Sequence, residues 1–257
     1  MSDTAGRTLG IAAALCGVCS VLVAGAVVVL RPMQNANKEK DFKKNILMSA
    51  GLLKPGTDIN AVYNEKVQPI IVNLETGELA TDVEAKTYIQ DKADKDPAYV
   101  EEIPKKIDVA GIKRRSKYQM VYLVKEEGEL DQIVLHVYGK GLWSTMKGFL
   151  SLAKDANTVK GFNYYAHGET PGLGGEVDNP KWIAQWPGKE VYTDEMKPAI
   201  NVIKGTVAES DPQAKYKIDG LSGATLTSVG IENTFQFWLS DMGYKKFLEN
   251  VRNGSIQ

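Results

Sequence analysis

Residues 9–30 contain no charged side chain. At about 1.5 Å rise per residue, a helix of that length spans the roughly 30 Å hydrocarbon core of a bilayer. A cleaved signal peptide competes with a retained anchor for this run. The run is longer than the apolar stretch of a signal peptide, and Val27, Val28, Val29 and Leu30 continue past the small residues Ala24, Gly25 and Ala26. A retained transmembrane anchor is therefore the expectation. Residues 37–53 place Phe42, Ile46, Leu47, Ala50 and Leu53 on one stripe of a polar helix, which ends near Gly51 and Lys54-Pro55-Gly56.

Beyond this helix the period changes. Residues 69–74 form an apolar run before the turn Thr76-Gly77-Glu78, which predicts a strand. Residues 84–108 are polar and charged and read as a solvated loop or helix face. Residues 118–125 and 131–138 alternate across the turn Glu126-Glu127-Gly128-Glu129, which predicts a hairpin. A loop with Gly139 and Gly141 follows, then a short helix starting near Met146 and reaching toward Ala153. Strands are expected at 159–165, 202–208 and 216–219. From Leu226 the pattern turns helical, with Val229, Phe235, Trp238, Leu239 and Met242 apolar. Gly243 closes it, and residues 244–251 add a last helical stretch. Strands and helices mix without strict βαβ alternation, which indicates an α+β domain. The predicted organisation is a tail at 1–8, a transmembrane anchor at 9–30, a connecting helix at 31–56 and a soluble domain at 57–257.

Composition narrows the chemistry. The chain has 257 residues, 43% hydrophobic and 25% charged, with a formal net charge of −1. That is a folded composition, and it lacks the basic excess expected of a nucleic-acid-binding protein. The two cysteines, Cys16 and Cys19, both lie in the apolar run. Two cysteines are too few for a tetrahedral metal site and read as small residues of one helix. The rest of the chain can form no disulfide, which fits either side of a membrane. Arg7 precedes the apolar run, while Arg31, Lys38, Lys40, Lys43 and Lys44 follow it. Taken alone, that charge bias puts the large domain in the cytoplasm, although the rule weakens for long domains.

Two loops carry the chemistry. The first is Asp219-Gly220-Leu221-Ser222-Gly223-Ala224-Thr225-Leu226-Thr227-Ser228, which leads into the helical segment. Unpaired N–H groups and the helix dipole at such a junction favour a phosphate. Ser222, Thr225, Thr227 and Ser228 offer four hydroxyls, any of which is a candidate attachment point. The second loop is His167-Gly168-Glu169-Thr170-Pro171-Gly172-Leu173-Gly174-Gly175, with backbone freedom for a tight loop or close ligand approach. His167 and Glu169 are too few for a metal site, so no metal is expected. His136 and His167 are the only histidines. Neither a nucleophile–base arrangement nor a G-x-x-x-x-G-K-[ST] or G-x-G-x-x-G motif is present, so no catalytic residue is expected and cofactor binding is favoured.

Ser222-Gly223-Ala224-Thr225 resembles the [ST]-G-A-T motif of the covalent-FMN-binding domain family, and the 167–174 loop is similar to that family's second signature. Within it, the chain most resembles the C-type subunits of Na+-translocating NADH:quinone oxidoreductases, then the G-type subunits of the related Rnf electron-transport complex. The resemblance implies FMN joined through a phosphoester to Thr225 by a separate flavin transferase. That enzyme would cut FAD and read Asp219, Ser222, Gly223 and Ala224. It further implies cofactor contacts from Ser222, Gly223, Ala224, Leu226 and Thr227, and from Glu169, Thr170, Leu173 and Gly174. Trp143 and Ser144 are implied as well, with His167 and Lys204 as weaker candidates. The implied role is an internal electron carrier of a sodium-pumping quinone reductase, not catalytic alone. Its partners would be other membrane subunits and lipid. The domain is expected on the periplasmic side of the bacterial inner membrane, against the charge count. A membrane-anchored module binding a phosphorylated ligand non-covalently is the alternative.

Overall fold

The computed structural model describes residues 5–81, 83–85 and 88–256. The first part of the expected 1–8 tail, residues 1–4, lies outside them, as does Gln257. The chain forms two compact units, Met1–Phe42 and Lys43–Gln257. Helix α1 (Ala5–Ser49) contains the apolar run, whose side chains are exposed. Among the described residues it is the one helix long and apolar enough to cross a membrane. Pro32 lies inside it, and the helix continues although proline removes a backbone donor. No separate connecting helix begins at residue 31; the helical segment expected at 37–53 is the end of α1.

Unit Lys43–Gln257 is an α+β domain. Its elements are α2 (Ile59–Lys66), β1 (Val67–Asn73), α3 (Gln90–Ala93), β2 (Val100–Glu102), β3 (Arg114–Ser116), β4 (Tyr118–Glu126), β5 (Glu129–Lys140), β6 (Thr145–Ala153) and β7 (Val159–Ala166). A 3-10 turn (Gly174–Asp178) follows, then α4 (Pro180–Ile183), β8 (Asn201–Val202), a 3-10 turn (Ala214–Tyr216), β9 (Lys217–Ile218), α5 (Thr225–Trp238) and α6 (Lys245–Arg252). The main sheet is antiparallel in the order β1-β4-β5-β6-β7.

Both faces of this sheet are covered. Ile133, Leu135 and Val137 on β5 point into the main core with Phe235, Trp238, Phe247 and Leu248 of α5 and α6. The alternate residues Gln132, Val134 and His136 are also buried, on the other face. A polar seam lies there: Gln132 Nε2 donates to the Ala50 carbonyl at 3.2 Å, and Asn163 Nδ2 donates to Asn45 Oδ1 at 3.0 Å.

Three predicted elements change. Residues 146–153 form strand β6 rather than a short helix. A strand buried on both faces reads as a continuous apolar run, and period alone cannot separate it from a buried helix. The strand expected at 202–208 shrinks to Asn201–Val202, paired in parallel with Lys217–Ile218, because the chain turns away at Gly205 with φ +88°. The 84–108 segment is not wholly solvated: α3 and β2 form within it, and Ala93 and Ile103 are buried.

Helix α5 crosses the sheet where β5 ends. Trp238 Nε1 donates to the Tyr138 carbonyl at 2.7 Å. A Cβ on Gly230 would collide with the Lys140 carbonyl oxygen, so glycine alone permits this approach. These contacts fix where the first turn of α5 stands relative to the loop after β5.

Candidate cofactor site

The motif loop runs from β9 into α5. Gly223 has φ +71°, a conformation that L side chains rarely adopt. Ala224 is the N-cap and offers no side-chain acceptor, so the first N–H groups of α5 are uncapped from within the helix. Thr225 is the first helical residue and is exposed.

The structure separates the four hydroxyls. Thr227 is buried, and its Oγ1 donates to Glu169 Oε2 at 2.7 Å. Ser228 is buried as well; its Oγ accepts from the Leu221 N–H at 3.0 Å and donates to the Ala224 carbonyl at 3.2 Å. Ser222 and Thr225 stay exposed. Only Thr225 of these two lines the adjacent cleft of about 370 Å³, within the common range for small-molecule sites. The opposite wall holds Asn201, Ile203 and Lys204, with Ser228, Val229 and Glu232 on the helix side. Burial pushes the Glu232 carboxyl above its usual value.

The second loop meets the first. Leu173 Cδ2 lies 3.1 Å from the position a Gly223 Cβ would take. Leu173 is exposed, as are Leu226 and Val229 on the first turns of α5 and Leu142 and Trp143 on the loop after β5, so several apolar side chains remain uncovered in these segments. Glu169 is only 5% exposed and points into the protein. Its carboxylate accepts from the Leu142, Trp143 and Ser144 N–H groups as well as from Thr227. Burial alone would raise this carboxyl, but these hydrogen bonds outweigh it and hold it below its usual value. Gly174 packs beside Glu169 and Thr227. The Thr170 carbonyl accepts from the Leu173 and Gly175 N–H groups and closes the loop.

The other predicted residues have internal partners. His167 Nδ1 accepts from the Glu169 N–H at 3.2 Å, which puts the proton on Nε2, 2.9 Å from Asp178 Oδ2. Ser144 Oγ accepts from the Gly168 N–H at 2.7 Å. Asp219 Oδ1 accepts from the Val207 N–H at 2.8 Å, so it holds the 203–207 segment over the motif. Lys204 is exposed at the cleft, as an anion partner requires.

Sequence reasoning missed Glu232, Asn201 and Ile203. Glu232 had a signal: it stands seven residues after Thr225, on the same helical face. Asn201 and Ile203 had none, because the β8–β9 pairing brings them in.

Residues 141–240 match the family model described as an FMN-binding domain. The chain is 47% identical to the Na(+)-translocating NADH-quinone reductase C subunit of Pseudomonas aeruginosa, over 96% of each chain. It is similar in structure to crystallised NqrC of Shewanella oneidensis, with a TM-score of 0.78 and 34% identity, covering 85% of this chain and 99% of that one. The corresponding C subunit from Parabacteroides distasonis matches with a TM-score of 0.65 and 27% identity, covering 85% and 96%.

Proposed function

The chain belongs to the NqrC family of Na(+)-translocating NADH-quinone reductase subunits, electron carriers with an FMN-binding domain, and we propose that it carries its FMN on Thr225 through a phosphoester. One observation carries the choice of residue: of four hydroxyls in the motif, Thr225 alone is both exposed and in the cleft. The residues present fit the group. Uncapped N–H groups at the start of α5 and the Lys204 ammonium suit a phosphate, and the exposed apolar side chains suit a flavin ring.

FMN, when bound, supplies one- and two-electron redox chemistry. The chain's own residues bind and orient it. Ser222, Gly223 and Ala224 form the turn that presents the Thr225 hydroxyl, and Asp219 secures the approach to that turn. Leu173, packed beside Gly223, and Leu226, next to Thr225 in α5, would wall the ring together with Trp143 and Ser144 of the loop held by Glu169. A flavin transferase would recognise the Asp219–Thr225 segment and transfer the FMN moiety of FAD to the Thr225 oxygen, which gives up its proton as the pyrophosphate bond breaks and AMP leaves. The apolar run of α1 would anchor the chain in lipid among the other subunits of the complex. The family resemblance supports a periplasmic domain, and long domains translocate largely regardless of flanking charge.

Coexpression with a flavin transferase tests the attachment. The wild-type chain is expected to give a fluorescent band on a denaturing gel, Thr225→Val to give none, and Thr227→Val, whose hydroxyl is buried on Glu169 outside the recognised segment, to keep it. A band that persists in Thr225→Val refutes the assignment. A reporter fused to the C-terminus and active only in the cytoplasm refutes the orientation.

A further inference from the structure

We propose that Glu169 is a positioning residue, whose buried carboxylate clamps the loop after β5 to the first turn of α5 and thereby holds the cofactor wall in register with the attachment threonine. The inference rests on the Thr225 reading for its functional half only; the clamp itself stands on the hydrogen bonds at this carboxylate.

Three separate pieces of chain meet there. Oε1 accepts from the Trp143 N–H at 2.9 Å and the Ser144 N–H at 3.2 Å. Oε2 accepts from the Leu142 N–H at 3.2 Å and from Thr227 Oγ1 at 2.7 Å. Glu169 itself sits on the loop after β7. Its partners lie 25 to 27 residues before it and 58 after it, so only the fold brings them together. Three successive N–H groups converging on one anion form a nest, and bonds to an ionised acceptor are stronger than neutral ones. The charge also lies beside the N-terminal end of α5, where the helix dipole favours it.

The surroundings leave no slack. A Cβ on Gly141 would lie 2.6 Å from Oε1, and one on Gly174 would lie 2.9 Å from Oε2. Both glycines let the backbone close on the carboxylate. Thr227 stands two residues after Thr225, in the same helical turn, so a bond to Thr227 restrains the attachment residue. Leu142, Trp143 and Ser144 share that carboxylate with Thr227, so the loop and the first turn of α5 are tied together. Glutamine has nearly the same volume, but its NH2 group would face at least one backbone N–H with a second donor, and the charge that strengthens the remaining bonds is lost. Substitution by glutamine therefore removes one acceptor oxygen and the charge without opening a cavity.

The test uses the full chain in detergent, loaded by a flavin transferase, as wild type, Glu169→Gln and Thr227→Val. Amide hydrogen exchange is read at Leu142, Trp143 and Ser144, with Val134 and Leu135 in β5 as reference. Glu169→Gln is expected to speed exchange at the three loop amides by at least about tenfold while the reference amides hold. The attached flavin is expected to show lower fluorescence anisotropy and a shifted midpoint potential. Thr227→Val, which cuts a single bond, should move both readouts in the same direction by less. Uniform acceleration of all amides, or none, overturns the clamp. Selective acceleration with an unchanged flavin overturns the positioning role. If Glu169→Gln fails to fold, Thr227→Val decides by the same criteria. A wild-type chain without covalent flavin instead defeats the Thr225 reading and with it the positioning role, while the amide pattern still judges the clamp.

Discussion

Gly230→Ala sets two known effects against each other. Inside a helix, alanine is favoured over glycine by about 0.8–1 kcal/mol. Here the added methyl meets backbone, not a side chain that can rotate away. It would collide with the Lys140 carbonyl oxygen and lie 3.2 Å from Gly141 Cα. Relief requires α5 to lift from the end of β5, and overpacking of this kind costs about 1–3 kcal/mol. A backbone collision belongs in the upper part of that range, so the net effect is about 1–2 kcal/mol of destabilisation. For a domain of this size that lowers Tm by roughly 2–8 °C. Thermal unfolding of the full chain in detergent measures it. The Thr225→Val background keeps flavin loading from shifting the comparison. A Tm that rises, as propensity alone demands, would refute the close packing of α5 on β5. The placement of the first turn of α5 against the loop after β5 would fall with it.

Ser228→Ala removes the acceptor for the Leu221 N–H, leaving a buried donor unpaired. It should cost about 1–3 kcal/mol and reduce the covalent flavin per chain; an unchanged Tm refutes the role given to this hydroxyl. Glu232 has its carboxyl raised by burial, so folding favours the protonated form. That contribution is fully present below the unfolded value and is lost as pH rises through the folded one. Glu232→Gln should therefore gain stability relative to wild type as pH rises above the ordinary glutamate value, until the folded carboxyl is fully ionised. A Tm difference that does not change with pH contradicts it.

Much of the domain was legible locally. The β4–β5 hairpin carries its own alternation and turn, and α5 carries helical spacing through Phe235 and Trp238. Strand β6 was not legible, because Phe149 and Leu150 are both fully buried on opposite faces and erase the alternation. The short β8–β9 pairing was not legible either. Two residues per strand carry no period, and parallel pairing depends on where the rest of the chain brings them. Glu169 was placed near the cofactor by the family resemblance alone. Its actual engagement with Leu142, Trp143, Ser144 and Thr227 has no local signature.

The sequence by itself determined the apolar run at 9–30, the α+β class, the two glycine-bearing loops and the hydroxyl-rich start of α5. These are local properties, written in period, turn residues and helix-start chemistry. The tertiary structure decided which hydroxyl stays available and which are taken up. Thr227 and Ser228 are removed by Glu169 and by the motif's own backbone, while Thr225 opens onto a cleft whose far wall comes from residues 201–205. Four hydroxyls so close together differ little in sequence. They differ in which buried partner each one reaches, and only the folded chain sets that.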